Sequence, residues 1–159
     1  MGSIKSSQDG RMQATLQALD TATGSVSWST VVDHTGFGAI RGVVVDGDFL
    51  VATGYIDNNE PGFLFIADGD NAKAIAWKFD LQGSLVATQL LGVGGMSQGA
   101  KIRVDKTHGG YVVVGSLWGD NDNQQCALVK LDSNLAVEWS KDYGLSSGQN
   151  QCFDMVVDR

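Results

Sequence analysis

The chain has 159 residues, of which 43% are hydrophobic, and this is enough apolar material for one packed domain. Its formal net charge is −7 and its Lys and Arg residues are scattered singly, so it lacks the basic stripe that a nucleic acid or an anionic membrane surface would need. No apolar stretch is long enough to insert into a membrane. The 21 glycines and single proline favour many tight turns between short strands.

Taken in chain order, one type of segment recurs: an alternating apolar run that ends in aspartate, then a short turn and a second alternating run. The first runs are ATLQALD, IAWKFD and ALVKLD, which end at Asp20, Asp80 and Asp132. Period-two patterning bounded by turn residues predicts a β-hairpin. The second runs carry Trp28 and Trp139, and Ala87 takes the tryptophan's place in the middle copy.

A second type of segment alternates with these hairpins and also ends in aspartate, in AIRGVVVD, AKIRVD and CFDMVVD. After the first two come the strand-like runs DFLVATGY and GGYVVVGSL. The repeating unit is therefore four strands, A to D in chain order, and no segment sustains helical periodicity. The repeat parts are residues 1–32 (end of B, C and D), 39–92 (A–D), 100–144 (A–D) and 151–158 (A only).

The predicted fold is a single all-β domain over residues 1–159, built from β-propeller-type blades of four antiparallel strands in about three repeats. A lone twisted four-stranded sheet cannot bury both of its faces, whereas packing sheet against sheet covers them. A two-sheet sandwich is the alternative architecture, but it gives no reason for the repeated spacing.

The segments GGYVVVGS (109–116), ALVKLDSN (127–134) and VEWSKDYG (137–144) resemble a repeat of bacterial secreted and surface β-propellers, whose pattern runs GGYVVAGS, WLVKLDSNG and WSKTYGG. The resemblance implies the propeller fold and an extracellular or cell-surface location. It implies no particular activity, because such repeats have many roles. The chain departs from the pattern at Ala87, and at Leu135, where the repeat has a glycine in a position that favours positive φ.

Closed propellers usually need four to eight blades, so this number of repeats predicts an incomplete ring. The chain is then either a fragment of a longer protein or a protomer that completes its ring as a homo-oligomer. Open sheet edges at both ends would otherwise favour aggregation.

The connections between strands indicate where function lies. The A–B and C–D turns are short, whereas the D–A and B–C connections are longer and leave an up-and-down sheet at the same edge. Long loops on a rigid scaffold are where binding residues concentrate. The candidate ligand-binding residues on that face are Asp33, His34, Asp57, Asn59, Phe63, Asp68, Asp70, Asn71, Trp118, Asp120 and Asp122.

Two acidic clusters in the B–C connections, DGDN at 68–71 and DNDN at 120–123, place oxygen ligands on alternating residues, as Ca²⁺ sites do. Asp and Asn also cap their own backbone in ordinary loops, and Gln125 stands where the calcium-loop pattern requires glycine. The clusters are therefore interpreted as solvated turns, with a Ca²⁺ site as the alternative, and no cofactor is predicted. Among the aromatic residues nearby, Phe63, Phe65 and Trp118 could stack on a sugar or seat a protein, or pack as part of the blade.

Candidates for catalysis are few. The only imidazoles, His34 and His108, fall in connections at opposite edges, and no GxSxG, HExxH or P-loop motif is present. Cys126 and Cys152 are interpreted as buried free thiols, since two cysteines make neither a disulfide framework nor a CxxC metal pair. The aspartates that end the strands are interpreted as turn formers.

The predicted function is therefore non-catalytic: a binding or scaffold module that presents its D–A and B–C loops to a protein or a carbohydrate partner. The alternatives are a fragment of a propeller lyase or hydrolase whose acid–base residues lie partly on other blades, and a structural spacer in an extracellular repeat array.

Overall fold

The computed structural model describes residues 2–5, 12–32, 34–59, 71–93, 97–118, 123–144, 148 and 150–157. All regular secondary structure in these ranges is β-strand. The strands are β1 (Gly2–Lys5), β2 (Met12–Leu19), β3 (Val26–Val31), β4 (Phe37–Asp46), β5 (Phe49–Asn58), β6 (Lys73–Asp80), β7 (Leu85–Val93), β8 (Gln98–Val104), β9 (Tyr111–Trp118), β10 (Gln124–Leu131) and β11 (Val137–Tyr143).

The strands form three antiparallel sheets, which confirms the expected all-β fold with four-stranded units. Sheet 1 has the order β1-β2-β3, sheet 2 the order β4-β5-β6-β7, and sheet 3 the order β8-β9-β10-β11. Each strand pairs with its neighbour in the chain, so every sheet is a meander. Sheet 1 therefore has one strand fewer than the other two among the described residues.

Sheet 2 is the middle layer of the molecule. Its strand β6 carries Ala74 and Ala76 on one face and Ile75, Trp77 and Phe79 on the other, and all five side chains are buried. Because successive side chains of a strand point to opposite faces, such a strand must lie in a sheet that is covered on both sides.

Two hydrophobic clusters join the three sheets in chain order. The cluster between sheets 1 and 2 contains Ala14, Leu16, Val32, Ile40, Ala52, Ile75, Trp77 and Phe79. The cluster between sheets 2 and 3 contains Val51, Ala74, Ala76, Ile102, Tyr111, Val113, Leu117, Ala127, Val129, Leu131 and Leu135. We call the face that a sheet turns toward the next sheet in the chain its forward face, and the opposite one its backward face.

The C–D hairpins share one turn design. Each has a bulge between the two residues that precede its aspartate. This aspartate ends β6 or directly follows β2 and β10, and it binds turn N–H groups. Asp20 accepts from Ala22 and Thr23, Asp80 from Gln82 and Ser84, and Asp132 from Asn134 and Ala136. The aspartates are therefore turn formers, as predicted. The N–H of Thr23 for Asp20, and that of Ser84 for Asp80, contributes most to holding each pKa below its ordinary value.

The third residue after Asp132 confirms the departure noted in the sequence. Leu135 has a positive φ of 72°. The turn glycines at the corresponding positions, Gly24 and Gly83, also have positive φ, at 72° and 85°. Its side chain is 1% exposed and belongs to the cluster between sheets 2 and 3. A leucine is therefore held in a left-handed conformation by burial of its side chain.

The structure differs from the expectation near the C-terminus, where residues 151–157 contain no strand. In sheets 2 and 3, strand A pairs with the strand B that follows it, and no described residue offers 151–157 such a partner. We call residues 150–157 the C-terminal segment. It lies against sheet 3, where the backbone N–H of Asn150 donates to the carbonyl oxygen of Gln124 at 2.8 Å.

The prediction of two free thiols is wrong, because Cys126 and Cys152 form a disulfide. Cys126 lies on the forward face of β10, and the C-terminal segment crosses this face so that the two Cα atoms are 5.1 Å apart. This separation suits a disulfide. The residues are 26 apart in sequence, and only the packing of the segment brings them together.

Candidate functional site

Alternate connections of an antiparallel meander leave the sheet at the same edge. We call the edge with the D–A and B–C connections the loop edge, and the edge with the A–B and C–D turns the turn edge. Neighbouring D–A and B–C connections meet at the loop edge through three contacts: Thr35 with Asp57, Ser97 with Trp118, and Asn150 with Gln124.

Asp57 is the centre of the first contact. Its carboxylate accepts a hydrogen bond from Thr35 Oγ1 at 2.9 Å and another from Lys73 Nζ at 2.7 Å. Thr35 lies between β3 and β4, whereas Asp57 and Lys73 lie at the two ends of the connection from β5 to β6. The network therefore ties the linker between sheets 1 and 2 to the longest loop of sheet 2.

Asp57 is ionised in this network. Partial burial acts to raise its pKa, but the hydrogen bonds from Lys73 and Thr35, together with the charge of Lys73, hold the pKa below the ordinary value. The residue has φ 56°, which aspartate tolerates better than most side chains. The Lys73 side chain is 38% exposed and keeps donor capacity toward solvent.

His34 is held at both ring nitrogens. The backbone N–H of Ala14 donates to Nε2 at 3.1 Å, so Nδ1 carries the proton and donates to the carbonyl oxygen of Thr35 at 3.1 Å. The ring lies against Gly38, where an added Cβ would come within 2.5 Å of Nε2. The imidazole therefore fastens β2 to the linker between sheets 1 and 2, and neither nitrogen is placed for acid–base work.

The second contact involves Trp118, the last residue of β9. Its backbone N–H donates to Ser97 Oγ at 3.1 Å, and the residue is half-buried. Ser97 is fully buried and lies just before β8. The hydrogen bond fixes the backbone at the start of the B–C connection of sheet 3, so Trp118 lies at the loop edge.

The third contact is a cluster of side-chain amides beside the disulfide. Gln151 Nε2 donates to Gln124 Oε1 at 2.8 Å, and Asn150 Nδ2 donates to Gln125 Oε1 at 3.3 Å. Gln124 is buried, whereas the other three residues are half-buried. Neutral amides both donate and accept, so this cluster can recognise hydroxyl or amide groups but cannot supply a proton for catalysis.

At the turn edge, carboxylates accept hydrogen bonds from the backbone N–H groups of their own turns. Asp105 accepts from the N–H of His108 at 3.0 Å and of Thr107 at 3.1 Å, and Lys130 Nζ lies 3.3 Å from its carboxylate. The backbone hydrogen bond from His108, assisted by Lys130, outweighs desolvation and lowers the pKa of Asp105 to about 2. Lys130 also donates to the carbonyl oxygen of Gly109.

A hydrogen bond across the turn edge connects two sheets. Tyr111 on β9 donates its hydroxyl to Asp46 at the end of β4, at 2.8 Å. Burial, followed by the hydrogen bond to this carboxylate, raises the pKa of Tyr111 well above its ordinary value. His108, at the same edge, is separated from His34 by the whole strand length, so the two imidazoles do not share a site.

Five predicted ligand-binding residues lie in the described ranges, all at the loop edge: His34, Asp57, Asn59, Asn71 and Trp118. Thr35 links His34 to Asp57, Trp118 belongs to the second contact, and Asn59 and Asn71 are exposed. The remaining predicted residues, which fall outside the described ranges, are Asp33, Phe63, Asp68, Asp70, Asp120 and Asp122.

Sequence reasoning did not single out several polar residues of the three contacts: Thr35, Lys73, Ser97, Gln124, Gln125, Asn150 and Gln151. Lys73 and Gln124 begin strands, and the others lie in or next to D–A and B–C connections. The sequence signal that could have identified them is that they are polar residues at the strand ends that flank these connections. Which of them meet across two sheets depends on the stacking of the sheets, and no single repeat shows it.

Within the described ranges no group of three or more His, Cys, Asp or Glu side chains is arranged to hold a metal ion. The same part of the chain contains no helix long and apolar enough to cross a membrane. No protein-family model matches the chain, and no curated protein matches its sequence. The geometry of the loop edge therefore carries the functional assignment.

Proposed function

We propose that the chain is a non-catalytic binding or scaffold module of the β-propeller type, and that its loop edge receives a glycan or protein partner. One observation carries the proposal: D–A and B–C connections converge in pairs at a single edge, three times in succession. The opposite edge consists of turns whose carboxylates bind their own backbone. Loops gathered on one side of a rigid scaffold suit recognition.

Two features of the stack support the propeller part of the proposal. Sheets of one topology follow each other in chain order, and their first strands, β4 and β8, contact each other. Sheet 2 turns one face to sheet 1 and the other to sheet 3, as a blade in a ring turns its faces to its two neighbours. A sandwich would instead pair two sheets and leave their outer faces in solvent.

Among the two partner classes, the described side chains at the loop edge favour a glycan. Asn59 and Asn71 are exposed, and Gln125, Asn150 and Gln151 are half-buried. Neutral amides offer hydrogen bonds to hydroxyl groups, and the indole of Trp118 at the same edge offers a surface for stacking.

The disulfide supports a secreted or cell-surface location. Disulfides form and persist in oxidising compartments and are rare in the cytosol, where glutathione and thioredoxin keep thiols reduced. The bond between Cys126 and Cys152 also attaches the C-terminal segment next to the amide cluster of the loop edge.

A glycan array probed with the intact protein tests the proposal. A hit should be confirmed by calorimetry and should weaken at least tenfold in the variant N59A/N71A, which trims the loop edge. The matched control is S133A/N134A, which trims two exposed residues at the turn edge. If no glycan binds, the glycan proposal fails and the spacer function is favoured. If both variants bind equally well, the glycan binds away from the loop edge, and the proposal that this edge receives it fails.

A further inference from the structure

We propose that the forward face of sheet 3 is an interface for a second copy of this chain, which docks there through the backward face of its sheet 1. The inference concerns assembly and does not depend on what the loop edge binds. Three independent features carry it: the pattern of the sheet faces, the polar contacts at their rim, and the position of the C-terminal segment.

The chain's own interfaces show what covers a forward face. Ala14 and Leu16 on the forward face of sheet 1 are covered by sheet 2, and Ala74 and Ala76 on sheet 2 are covered by sheet 3. Counted from the aspartate that ends each strand, Cys126 and Leu128 hold the same positions in sheet 3. Among the described residues, only the C-terminal segment lies over them, and it leaves a cavity of about 270 Å³ that Val114, Leu128, Tyr143 and Met155 help to line.

At the rim of the interfaces, which lies at the turn edge, sheets 1 and 2 each donate side-chain hydrogen bonds to a turn of the next sheet. Trp28 Nε1 donates to the carbonyl oxygen of Leu81 at 3.0 Å, and Thr30 Oγ1 donates to that of Gly83 at 2.6 Å. From sheet 2, Lys78 Nζ donates to the carbonyl oxygen of Ser133 at 2.9 Å.

Lys78 replaces the donor that the middle repeat lacks. Ala87 stands where Trp28 stands in sheet 1, and Lys78 is the cross-strand neighbour of Ala87. Ser133 follows Asp132 as Leu81 follows Asp80, so both donors reach the same place in the turn of the next sheet. A side-chain hydrogen bond from the forward face of one sheet to the C–D turn of the next sheet is therefore a repeated feature of this stack.

Sheet 3 presents donors at the corresponding positions, with no acceptor among the residues that the structure describes. Trp139 holds the position of Trp28 and is 40% exposed, and Lys141 holds that of Thr30. The matching acceptors are in sheet 1, where Thr21 and Gly24 correspond to Leu81 and Gly83.

The two corresponding turn glycines show which turn is covered. A Cβ added to Gly83 would lie 2.7 Å from both Thr30 Oγ1 and the Trp28 ring. A Cβ added to Gly24 would meet no atom within 4 Å. Sheet 1 also exposes Leu19, Val26 and Val31 (56%, 54% and 46%) on its backward face. The turn and the face that a preceding sheet would cover are therefore open.

The C-terminal segment lies where the first strand of a further sheet would lie. Counted from the closing aspartate, Gln151 and Cys152 hold the positions of Gln98 and Gly99 in β8. Gly99 faces Thr53 on the middle of sheet 2, and Cys152 faces Cys126 on sheet 3. Among the described residues, sheet 1 has no strand in the place that β4 and β8 hold in the other two sheets, and the C-terminal segment of a second copy fits that place.

The two faces differ, so the contact is head-to-tail. The three described sheets of each copy give six sheets in a head-to-tail pair, a number within the four to eight that close a propeller. We therefore expect a closed dimer with two identical interfaces.

Light scattering on the intact oxidised protein tests this assembly, and the expected mass is twice that of one chain. Trp139→Ala should weaken dimerisation at least tenfold, because the corresponding Trp28 packs on the turn of the next sheet and donates to it, and tryptophan is a typical hot-spot residue. The control is Val137→Ala, which removes an exposed apolar side chain from the same strand. Val137 pairs with Leu131 and therefore lies on the backward face, so its loss should change the affinity less than about threefold.

Cross-linking tests the orientation. Mixing the variants Lys141→Cys and Gly24→Cys under mild oxidation should give a disulfide-linked dimer, because Thr30 and Gly83 are adjacent at the corresponding positions within the chain. Gly47→Cys is the matched control, since Gly47 is also an open turn glycine with positive φ but lies in an A–B turn. A single-chain mass at about 100 μM, well above the Kd of a stable dimer, or equal cross-linking of the two glycine variants, overturns the proposal.

Discussion

Leu135 combines a backbone strain with a packing gain, and the two can be separated by substitution. Its φ of 72° costs a leucine about 1–2 kcal/mol relative to glycine, while its buried side chain packs between sheets 2 and 3. Loss of a buried leucine side chain costs about 2–5 kcal/mol. Leu135→Gly should therefore lower the free energy of unfolding in urea by about 2 kcal/mol.

The diagnostic comparison is Leu135→Ala. Alanine loses the same packing but keeps the strain, so this variant should be about 1 kcal/mol less stable than the glycine variant. At an ordinary strand or helix position the order is the reverse, since glycine is the less stable choice. Equal stabilities, or a more stable alanine variant, would show that the left-handed conformation carries no strain.

The hydrogen bond from the His108 N–H to Asp105, assisted by the ion pair with Lys130, should make stability depend on pH in acid. The pKa of Asp105 is about 2 in the folded chain against 3.8 as the reference value, so the folded state binds the proton less readily. Its contribution is complete above about pH 4 and is lost as the pH falls toward 2.

The variant Asp105→Asn measures this contribution. It should be less stable than the parent chain at pH 6, because Lys130 is only 5% exposed and loses its carboxylate partner. Thermal unfolding between pH 2 and 6 should show the two midpoints converging as the pH falls. A difference in unfolding midpoint that stays constant down to pH 2 would show that the charge of the Asp105 carboxylate does not cause it.

At the scale of elements, the C-terminal segment depends on the disulfide more than on its own hydrogen bonds. Only Asn150 donates a backbone N–H to sheet 3 among the described contacts, and Phe153 and Val156 are exposed (51% and 94%). Closing a loop with a sequence separation of 26 residues stabilises by about 3–4 kcal/mol in the chain-entropy estimate.

Cys152→Ser should therefore release the segment from the forward face of sheet 3. Hydrogen exchange should accelerate in residues 150–157 and stay unchanged in β5 and β6 of sheet 2. Reductant should produce the same acceleration in the parent chain and none in the variant. A segment that keeps its protection without the disulfide would mean that packing of Met155 and its neighbours is sufficient to dock it.

Local patterns predicted most of these elements, and contacts between sheets account for what they missed. Alternation and turn aspartates indicated the strands, and the glycine-like position of Leu135 was visible from the repeat. The strand expected at 151–158 did not form in the described residues, since a strand needs a partner. The disulfide, the amide cluster and the Lys78 contact each join residues that become neighbours only when sheets stack.

At the scale of the whole molecule, the described sheets stabilise one another through packing between neighbours in the chain. Sheets 1 and 2 share one hydrophobic cluster and sheets 2 and 3 share the other, and within the described part of the chain neither cluster includes both sheet 1 and sheet 3. Stability in such a stack is roughly the sum of each unit and its interfaces with its neighbours. A defect at one interface should therefore leave the far sheet intact.

Two leucine truncations compare the interfaces directly. Leu16 and Leu131 are 3% and 0% exposed, and each packs in one of the two clusters, so either change to alanine should cost about 2–5 kcal/mol. By hydrogen exchange, Leu16→Ala should raise the rates in β2 and β3 at least tenfold and leave β9 and β10 unchanged, and Leu131→Ala should do the opposite. Sheet 2 should respond to both variants, because it contributes to both clusters. Uniform acceleration in all three sheets would instead show that the stack unfolds as one cooperative unit.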